Sequence, residues 1–421
     1  MNGKTCDGNN LKQDYGSPRW STEITDCSMP MTFDTYSRCS YGCAYCFSVY
    51  QRDIVRAKAQ FRSETRSVNP QKIKRLFMEP ESSQFGPYIR AKIPFQWGGL
   101  SDQFDEYERK HMVTLELLRF FQGLQYPICF STKSSWWAFD MRYRQAFEGS
   151  PWNVKFSIIT LDEEASRKIE IGCPTPLERL KAMREAARFC NGGVTLRLRP
   201  FIIGLSDKTL DELILRSADA GATAVSTEFF CLEQRNPTGL AKNYPLISDV
   251  IGFDVLSYYR KHSYGTGYLR LCRDIKRSHI NHIEELCRSN GMRFYVSDAH
   301  FKERSHNGSC CGLPESWNYT RGQYCEALMI AKRIGMVHWS DIQLDTQLYS
   351  GFKWYQATGY NYRNCESRAK FNNYTMQDYL RWTWNHPNAG QSPYKMFEGI
   401  IKPDGIDENG DIIYAWDDSK A

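Results

Sequence analysis

Cys39, Cys43 and Cys46 stand on one short stretch, Cys39-Ser-Tyr-Gly-Cys43-Ala-Tyr-Cys46, separated by three and then two residues. A loop this short can offer three thiolates to three irons of a 4Fe-4S cubane. With no fourth cysteine in the loop, one iron keeps an open coordination position. An open iron can bind a small chelating cofactor in its inner sphere, which a fully ligated cluster cannot do. The chain has 15 cysteines in 421 residues, so the spacing is expected by accident in roughly two per cent of such chains. A zinc site would call for a second cysteine or histidine pair near by, and none follows within the next eighty residues.

The elements that must position this loop alternate between strand-like and helix-like stretches, which argues for a parallel sheet with crossover helices. Strands are expected at Met31 to Tyr36, directly before the cysteines, and at Ile93 to Trp97, running into Gly98-Gly99-Leu100-Ser101-Asp102. Further strands are expected at Pro127 to Thr132, Trp152 to Thr160, Val194 to Phe201, Ala224 to Phe230 and Arg293 to Ser297. The clearest helix starts at Thr175-Pro176-Leu177-Glu178, a capping box with proline in the first turn. It is expected to bury Leu177, Leu180, Met183 and Ala187 and to stop at Gly192-Gly193. On the fifth strand Val194, Leu196 and Leu198 alternate with Thr195, Arg197 and Arg199. Helices cover the outside of a parallel barrel, so the apolar set should face out and the arginines into the lumen, where a guanidinium needs an anion. On the fourth strand Val154, Phe156 and Ile158 alternate in the same way with Lys155, Ser157 and Ile159. Strand ends facing the lumen are where barrel sites are built.

Composition bounds the rest. The chain is 41% apolar and 14% aromatic, with a net charge of +6, ample for a core and permissive of an anionic partner. Its first residues lack the apolar segment of a signal peptide, and no run reaches the length of a membrane span. An odd number of scattered cysteines suits reduced thiols in the cytoplasm better than a disulfide framework. Arg52, Arg56, Lys58, Arg62, Arg66, Lys72, Lys74 and Arg75 form a basic run after the cysteines, either a solvated helix face or a phosphate-binding surface.

The cysteine spacing, with aromatic Tyr45 before the last cysteine, resembles the signature of the radical SAM enzymes. Gly99-Leu-Ser-Asp102, Ser131-Thr-Lys-Ser134, Phe156-Ser-Ile-Ile-Thr-Leu-Asp-Glu-Glu164, Thr175-Pro-Leu-Glu-Arg-Leu180 and Arg199-Pro-Phe-Ile-Ile-Gly-Leu-Ser-Asp207 resemble, in the same order, its spore photoproduct lyase-like branch. The resemblance runs from Pro30 to Glu228, about half the chain. It implies an α/β fold, a partial (β/α)6 TIM-type barrel, here followed by a C-terminal α+β extension. It also implies that S-adenosylmethionine fills the open iron through its amino and carboxylate groups and yields a 5'-deoxyadenosyl radical. The implied substrate is a nucleotide, a pyrimidine base in DNA that is repaired or modified, and the implied electron donor is a protein such as flavodoxin or ferredoxin. Cys39, Cys43 and Cys46 would hold the cluster, with Tyr45 and Phe47 packed beside the cofactor. Position at strand ends adds Gly98, Gly99, Asp102, Lys133, Ser157, Arg197 and Arg199 as cofactor contacts. One departure concerns the lyase's hydrogen-donor cysteine, for here no cysteine lies between Cys46 and Cys129.

Three regions are expected: a polar N-terminal extension over 1–30, the barrel over 31–300 with an insertion at 231–275, and a Cys- and aromatic-rich region over 301–421. The insertion carries Arg235-Asn-Pro-Thr-Gly239 and is placed to supply substrate contacts. Cys231, Cys310, Cys311 and Cys325 could bind an auxiliary Fe-S cluster, which would suit an enzyme acting on a peptide or small molecule. Cys310 or Cys311 could instead donate a hydrogen atom. Asp298 and His300 could serve as acid or base, or hydrogen-bond their loop. Trp354, Tyr355, Tyr360, Tyr362, Arg363, Arg368, Lys370, Phe371, Arg381, Trp382 and Trp384 read as a small core with an exposed fringe or as a stacking surface for bases. A closing hairpin is expected to turn at Asn409-Gly410.

Overall fold

The protein, in a computed structural model, is described over residues 11–21, 29–48, 64–234, 240–264, 268–314, 317, 323–342, 371 and 373–421. The main sheet has eight strands: β1 (Arg19–Trp20), β2 (Met31–Phe33), β3 (Phe95–Trp97), β4 (Ile128–Thr132), β5 (Trp152–Ser157), β6 (Val194–Phe201), β7 (Ala222–Phe229) and β8 (Arg293–Val296). They lie side by side in chain order. β1 is antiparallel to β2, and every later pair is parallel. A doubly wound sheet reverses at a switch point, whereas strands that step in one direction through helical crossovers wind as a barrel. Among the described residues β1 and β8 do not pair, so the barrel is open.

The seven strands expected from the sequence coincide with β2 to β8, with ends differing by up to three residues. β8 is one more parallel strand than the six-stranded barrel implied by the resemblance. β1 lies in the stretch expected to be a polar extension; it joins the sheet because Trp20 is buried against the rings of Phe85 and Tyr88, at 4.6 and 4.8 Å. The capping box is present, with Thr175 and Glu178 bonded reciprocally, but the helix spans Pro176–Ala186 and ends before the glycines. Leu177 is exposed, and Arg179 is buried on that helix instead. Gly192 serves packing, since a Cβ there would lie 2.5 Å from the backbone of Trp152.

The alternation on β6 sorts as the period of two requires. Val194, Leu196 and Leu198 belong to the apolar core, and Arg197 and Arg199 face inward. On β5 Lys155 reaches across the lumen to Gln96 on β3 (2.6 Å), which in turn bonds Ser131 on β4 (3.0 Å). The open lumen is filled by the chain that follows β8. Ser226 donates to the carbonyl of Cys310 at 2.8 Å, and Gly312 packs so tightly on Thr195 that a Cβ would meet its Oγ1 at 2.9 Å. The segment thus supplies the packing that a complete barrel draws from its missing strands.

The insertion forms a small antiparallel sheet, Leu232–Glu233, Ser263–Tyr264 and Tyr268–Leu271, together with the helices Tyr244–Ile251 and Val255–His262. Toward the C-terminus, Met336–Val337, Ile401–Ile406 and Ile412–Trp416 make a second antiparallel sheet, with Gly410 at positive φ in the expected turn. Trp384, Tyr324, Phe371 and Tyr414 are buried there in a core continuous with that of the barrel. The aromatic and basic residues from Trp354 to Lys370, Arg52 to Arg62 of the basic run, and the 235–239 motif lie outside the described residues. No helix among the described residues is long and apolar enough to cross a membrane.

Asp34, at the end of β2, is fully buried and pairs with Arg19 of β1. It also accepts the backbone N–H groups of Leu100 (2.8 Å) and Ser101 (2.9 Å). One carboxylate therefore fixes both β1 and the loop after β3. Asp34→Ala is expected to cost about 2–3 kcal/mol in a urea melt, below the full cost of breaking a buried pair because Arg19 is partly exposed.

Candidate active site

The C-terminal ends of β2 to β7 surround one cavity of about 430 Å³. Cys39, Cys43 and Cys46 border it, as do Tyr45 and Phe47. So do Gly98, Gly99 and Asp102 after β3, Lys133 after β4, Ser157 on β5, and Arg197 and Arg199 on β6. Glu228 of β7 and Cys231 and Arg270 of the insertion complete the wall.

The cysteine loop is held from behind by a network that begins on a buried ion pair. Gly42–Cys43 pairs antiparallel with Glu170–Ile171, and Ala44 N donates to Ile169 O at 2.7 Å. Glu170 and Arg179 form an ion pair with both side chains essentially inaccessible. The Tyr45 hydroxyl donates to Glu170, and Arg179 donates to the carbonyl of Ser157 at 2.7 Å and to Ser166 Oγ at 3.1 Å. Burial alone would raise the Glu170 carboxyl, but Arg179, Lys133 and the bond from Tyr45 bring it from 4.5 to about 2. Lys133 lies 5.4 Å above the Tyr45 ring, a cation–π contact. On the other flank Asp105 caps the Glu106–His111 helix and accepts Ser40 N at 2.6 Å. Asn243 of the insertion donates to Ala44 O at 2.9 Å.

The loop after β3 needs its first glycine. Gly98 has φ +89°, and a Cβ there would lie 2.7 Å from Ser131 O, so any side chain would be strained and crowded. A Cβ on Gly99 would lie 2.8 Å from Arg19 Nη2. Asp102 is secured by Thr132 Oγ1 (2.9 Å), Lys133 N (2.6 Å) and Phe104 N (3.0 Å).

The two arginines of β6 differ in their partners. Arg199 pairs with Glu228. Arg197 donates to Ser157 Oγ at 3.3 Å and to Arg199 O at 3.5 Å and has no carboxylate partner among the described residues. Burial and the neighbouring Arg199 push its guanidinium down to about 10. It is a lumen cation with anion-binding capacity to spare.

For the thiols, burial raises Cys39 well above its ordinary value, with Asp105 and Asp102 adding to the effect. The bond from Cys173 lowers Cys43, aided by Lys133. Cys173 Sγ lies 3.6 Å from Cys43 Sγ, behind the loop. Among the described residues no three His, Cys, Asp or Glu side chains close on a point that would hold a single metal ion. Three thiols bordering one cavity with Lys133 and Arg197 suit a polynuclear anionic cluster, so donor set, charge and room fit a 4Fe-4S group.

Other expected residues lie elsewhere. Asp298 accepts from Lys276 (2.6 Å) and from Phe229 N (3.0 Å); burial works against its charge, but Lys276 holds the carboxyl below the usual range. His300 meets Glu398 at 2.5 Å, and burial together with Lys276 takes it down to about 3. Neither borders the cavity; both join β8 to the Arg273–Ser289 helix and the C-terminal region, a structural use. Cys310 and Cys311 lie in the lumen segment, 3.4 Å apart and not on the cavity wall. The bond from Cys311, with Lys302 and Arg199, draws Cys310 well below its ordinary value. Cys231 does border the cavity, and burial pushes its thiol up to about 12. Cys325 is buried in the apolar core. Of the four cysteines expected to form an auxiliary cluster, Cys310 and Cys311 are adjacent in the lumen segment, Cys231 borders the cavity and Cys325 packs in the core.

Sequence reasoning missed Glu170, Arg179, Asp34, Asp105, Glu228, Arg270 and Cys173. Arg179 lies within the Thr175–Leu180 motif, but nothing local says that a charged residue on that helix is the buried one.

No protein-family model matches the chain, and no curated protein does. Solved structures of spore photoproduct lyase do align with it. One variant superposes with a TM-score of 0.49 at 14% identity, covering 68% of this chain and 81% of that one. A complex of that lyase with dinucleoside spore photoproduct gives 0.46 at 15% identity, covering 64% and 77%. Another, with AdoMet and the same dinucleoside, gives 0.46 at 15% identity over 64% and 76%.

Because folding lowers the Glu170 carboxyl, its contribution to stability is complete above pH 4.5 and is lost as pH falls toward about 2. Glu170→Gln is expected to lack this acid-limb loss in urea melts across that range. Arg179→Ala should cost about 3–5 kcal/mol at pH 7, where it strands a buried carboxylate, and less in acid.

Proposed function

We propose that the chain is a radical SAM enzyme acting on a nucleotide substrate, a pyrimidine base in DNA, for repair or base modification. The observation that carries this reading is the convergence on one cavity, at the strand ends, of three loop cysteines and of Arg197, which has no carboxylate partner among the described residues. Cys39, Cys43 and Cys46 would hold a 4Fe-4S cluster, and S-adenosylmethionine would occupy the remaining iron. Together the two groups supply a 5'-deoxyadenosyl radical for hydrogen abstraction. Arg197, steadied by Ser157, is suited to bind the cofactor carboxylate. Gly98 and Gly99 let backbone approach the cofactor closely, while Tyr45 and Phe47 wall the cluster side. Lys133 offsets the negative charge of the cluster thiolates. Exclusion of water and oxygen would protect a radical, and the barrel wall and the insertion border the cavity. Arg270, exposed on the cavity wall, favours a phosphate-bearing substrate.

An external one-electron donor such as flavodoxin or ferredoxin is required, and a reducing compartment such as the cytoplasm suits the thiols. The competing reading, a peptide- or small-molecule-modifying enzyme with an auxiliary cluster, needs Cys231, Cys310, Cys311 and Cys325 at one site; of these Cys231 borders the cavity, Cys310 and Cys311 do not, and Cys325 is buried in the apolar core.

Anaerobic reconstitution should load about four irons per chain, and Cys39→Ala, Cys43→Ala or Cys46→Ala should abolish the iron–sulfide absorbance. Dithionite and S-adenosylmethionine should then give 5'-deoxyadenosine, with deuterium transferred from labelled oligonucleotides. Iron-free protein after reconstitution would overturn the proposal, and absence of transfer from any nucleic acid would overturn the substrate class. Arg197→Gln is expected to weaken S-adenosylmethionine binding about 10- to 100-fold, the worth of a charged hydrogen bond, at unchanged iron content.

A further inference from the structure

Cys173 lies far from the cluster loop in sequence yet in contact with it in space. Its sulfur is 3.6 Å from that of Cys43, the van der Waals contact distance of two sulfurs, and both residues are partly accessible. The contact is imposed by the backbone. Cys43 is paired with Glu170 in the short antiparallel ladder. Cys173 N bonds back to Glu170 O at 3.0 Å, and Gly172, at φ +79°, turns the chain so that the next side chain returns over Cys43. The buried Glu170–Arg179 pair and the Tyr45 bond hold Glu170, and with it the ladder that sets Cys43 beside Cys173. Cys173 does not border the cavity, whereas Cys43 does. It therefore touches a thiol that would hold the cluster, from outside the cavity wall.

We infer that Cys173 is a resolving thiol that forms a disulfide with Cys43 when the cluster is absent and a hydroperoxide is present. The inference rests on the proposed cluster site only for its consequence, since the disulfide can form whatever that site binds. In the first step the Cys43 sulfur attacks the hydroperoxide, the O–O bond breaks, Cys43 becomes a sulfenic acid and an alcohol or water leaves. In the second the Cys173 sulfur attacks the sulfenic sulfur, an S–S bond forms, the S–O bond breaks and water leaves. Two thiols are oxidised by two electrons and one peroxide is reduced. While the disulfide stands, the loop offers two thiols instead of three and cannot be loaded with iron. Further oxidation of Cys43 to the irreversible sulfinic acid is also prevented. The site is thus stored in a form that a dithiol reductant restores.

The test uses the full-length chain before iron is added, treated with one equivalent of hydrogen peroxide and mapped by mass spectrometry without reduction. The expected product is a Cys43–Cys173 cross-linked peptide pair. A cross-link confined to Cys310 and Cys311, or a Cys43 sulfenic acid that stays open to dimedone, would overturn the inference. In a second arm, excess peroxide is followed by dithiothreitol and anaerobic iron loading. Wild type should recover most of its iron, and Cys173→Ser, with circular dichroism showing it folded, should recover several-fold less because Cys43 has become sulfinic acid. Equal recovery would also overturn the inference. If fully reduced wild type takes up no iron, the cluster proposal fails while the peptide map still decides the disulfide.

Discussion

Two opposite charges taken completely out of water can persist only if each satisfies the other and the remaining hydrogen-bonding capacity of both is filled. Glu170 and Arg179 meet that condition, and they meet it by drawing in the parts of the site. Glu170 takes the hydroxyl of Tyr45 from the cysteine loop, while Arg179 takes the carbonyl of Ser157 at the end of β5. The loop is thereby fastened to the strand whose tip faces the same cavity. Neither Tyr45 nor Ser157 can move without uncovering a charge, which is a stronger restraint than apolar contact gives a loop.

The open barrel poses a second constraint. A lumen with one side missing cannot be filled by strand side chains alone, so its polar inner face must be satisfied in other ways. Lys155 is used up by Gln96, Arg199 by Glu228, and the mid-strand hydroxyl of Ser226 by the segment around Cys310. Arg197 is left over, half-buried with a serine hydroxyl and a carbonyl as its partners among the described residues. A cation in that position gains most from an anionic ligand, and it borders the space that the three cysteines border. Chemistry is concentrated where the fold's own accounting of polar groups does not close.

A different network joins β7, β8, the Arg273–Ser289 helix and the C-terminal region. Lys276 pairs with Asp298, Arg273 with Glu303, and His300 with Glu398. With its pKa taken down to about 3, His300 remains neutral in this setting, and Asp298 is committed to a backbone N–H and an ammonium. These residue types in a loop after a strand suggest acid–base work, and burial converts them into fasteners.

The cysteine loop, the seven parallel strands and the inward arginines of β6 were legible in the chain itself, because each is written in spacing over a few residues. Cysteine separation sets what one loop can ligate, and a period of two sets which side chains share a face. The glycines after β3 were legible as well, since their places at a strand end and in a turn are local. Tertiary structure alone decided that Glu170 answers Tyr45 across 125 positions, that Cys173 lies behind Cys43 across 130, and that Asp34 spends its charge on the loop after β3. It also sent Cys325 into the core and Cys310 and Cys311 into the lumen. The physical reason is that the role of a charge or a thiol depends on how far it is removed from water and on what meets it there. Packing sets both, bringing together segments that carry no mark of one another.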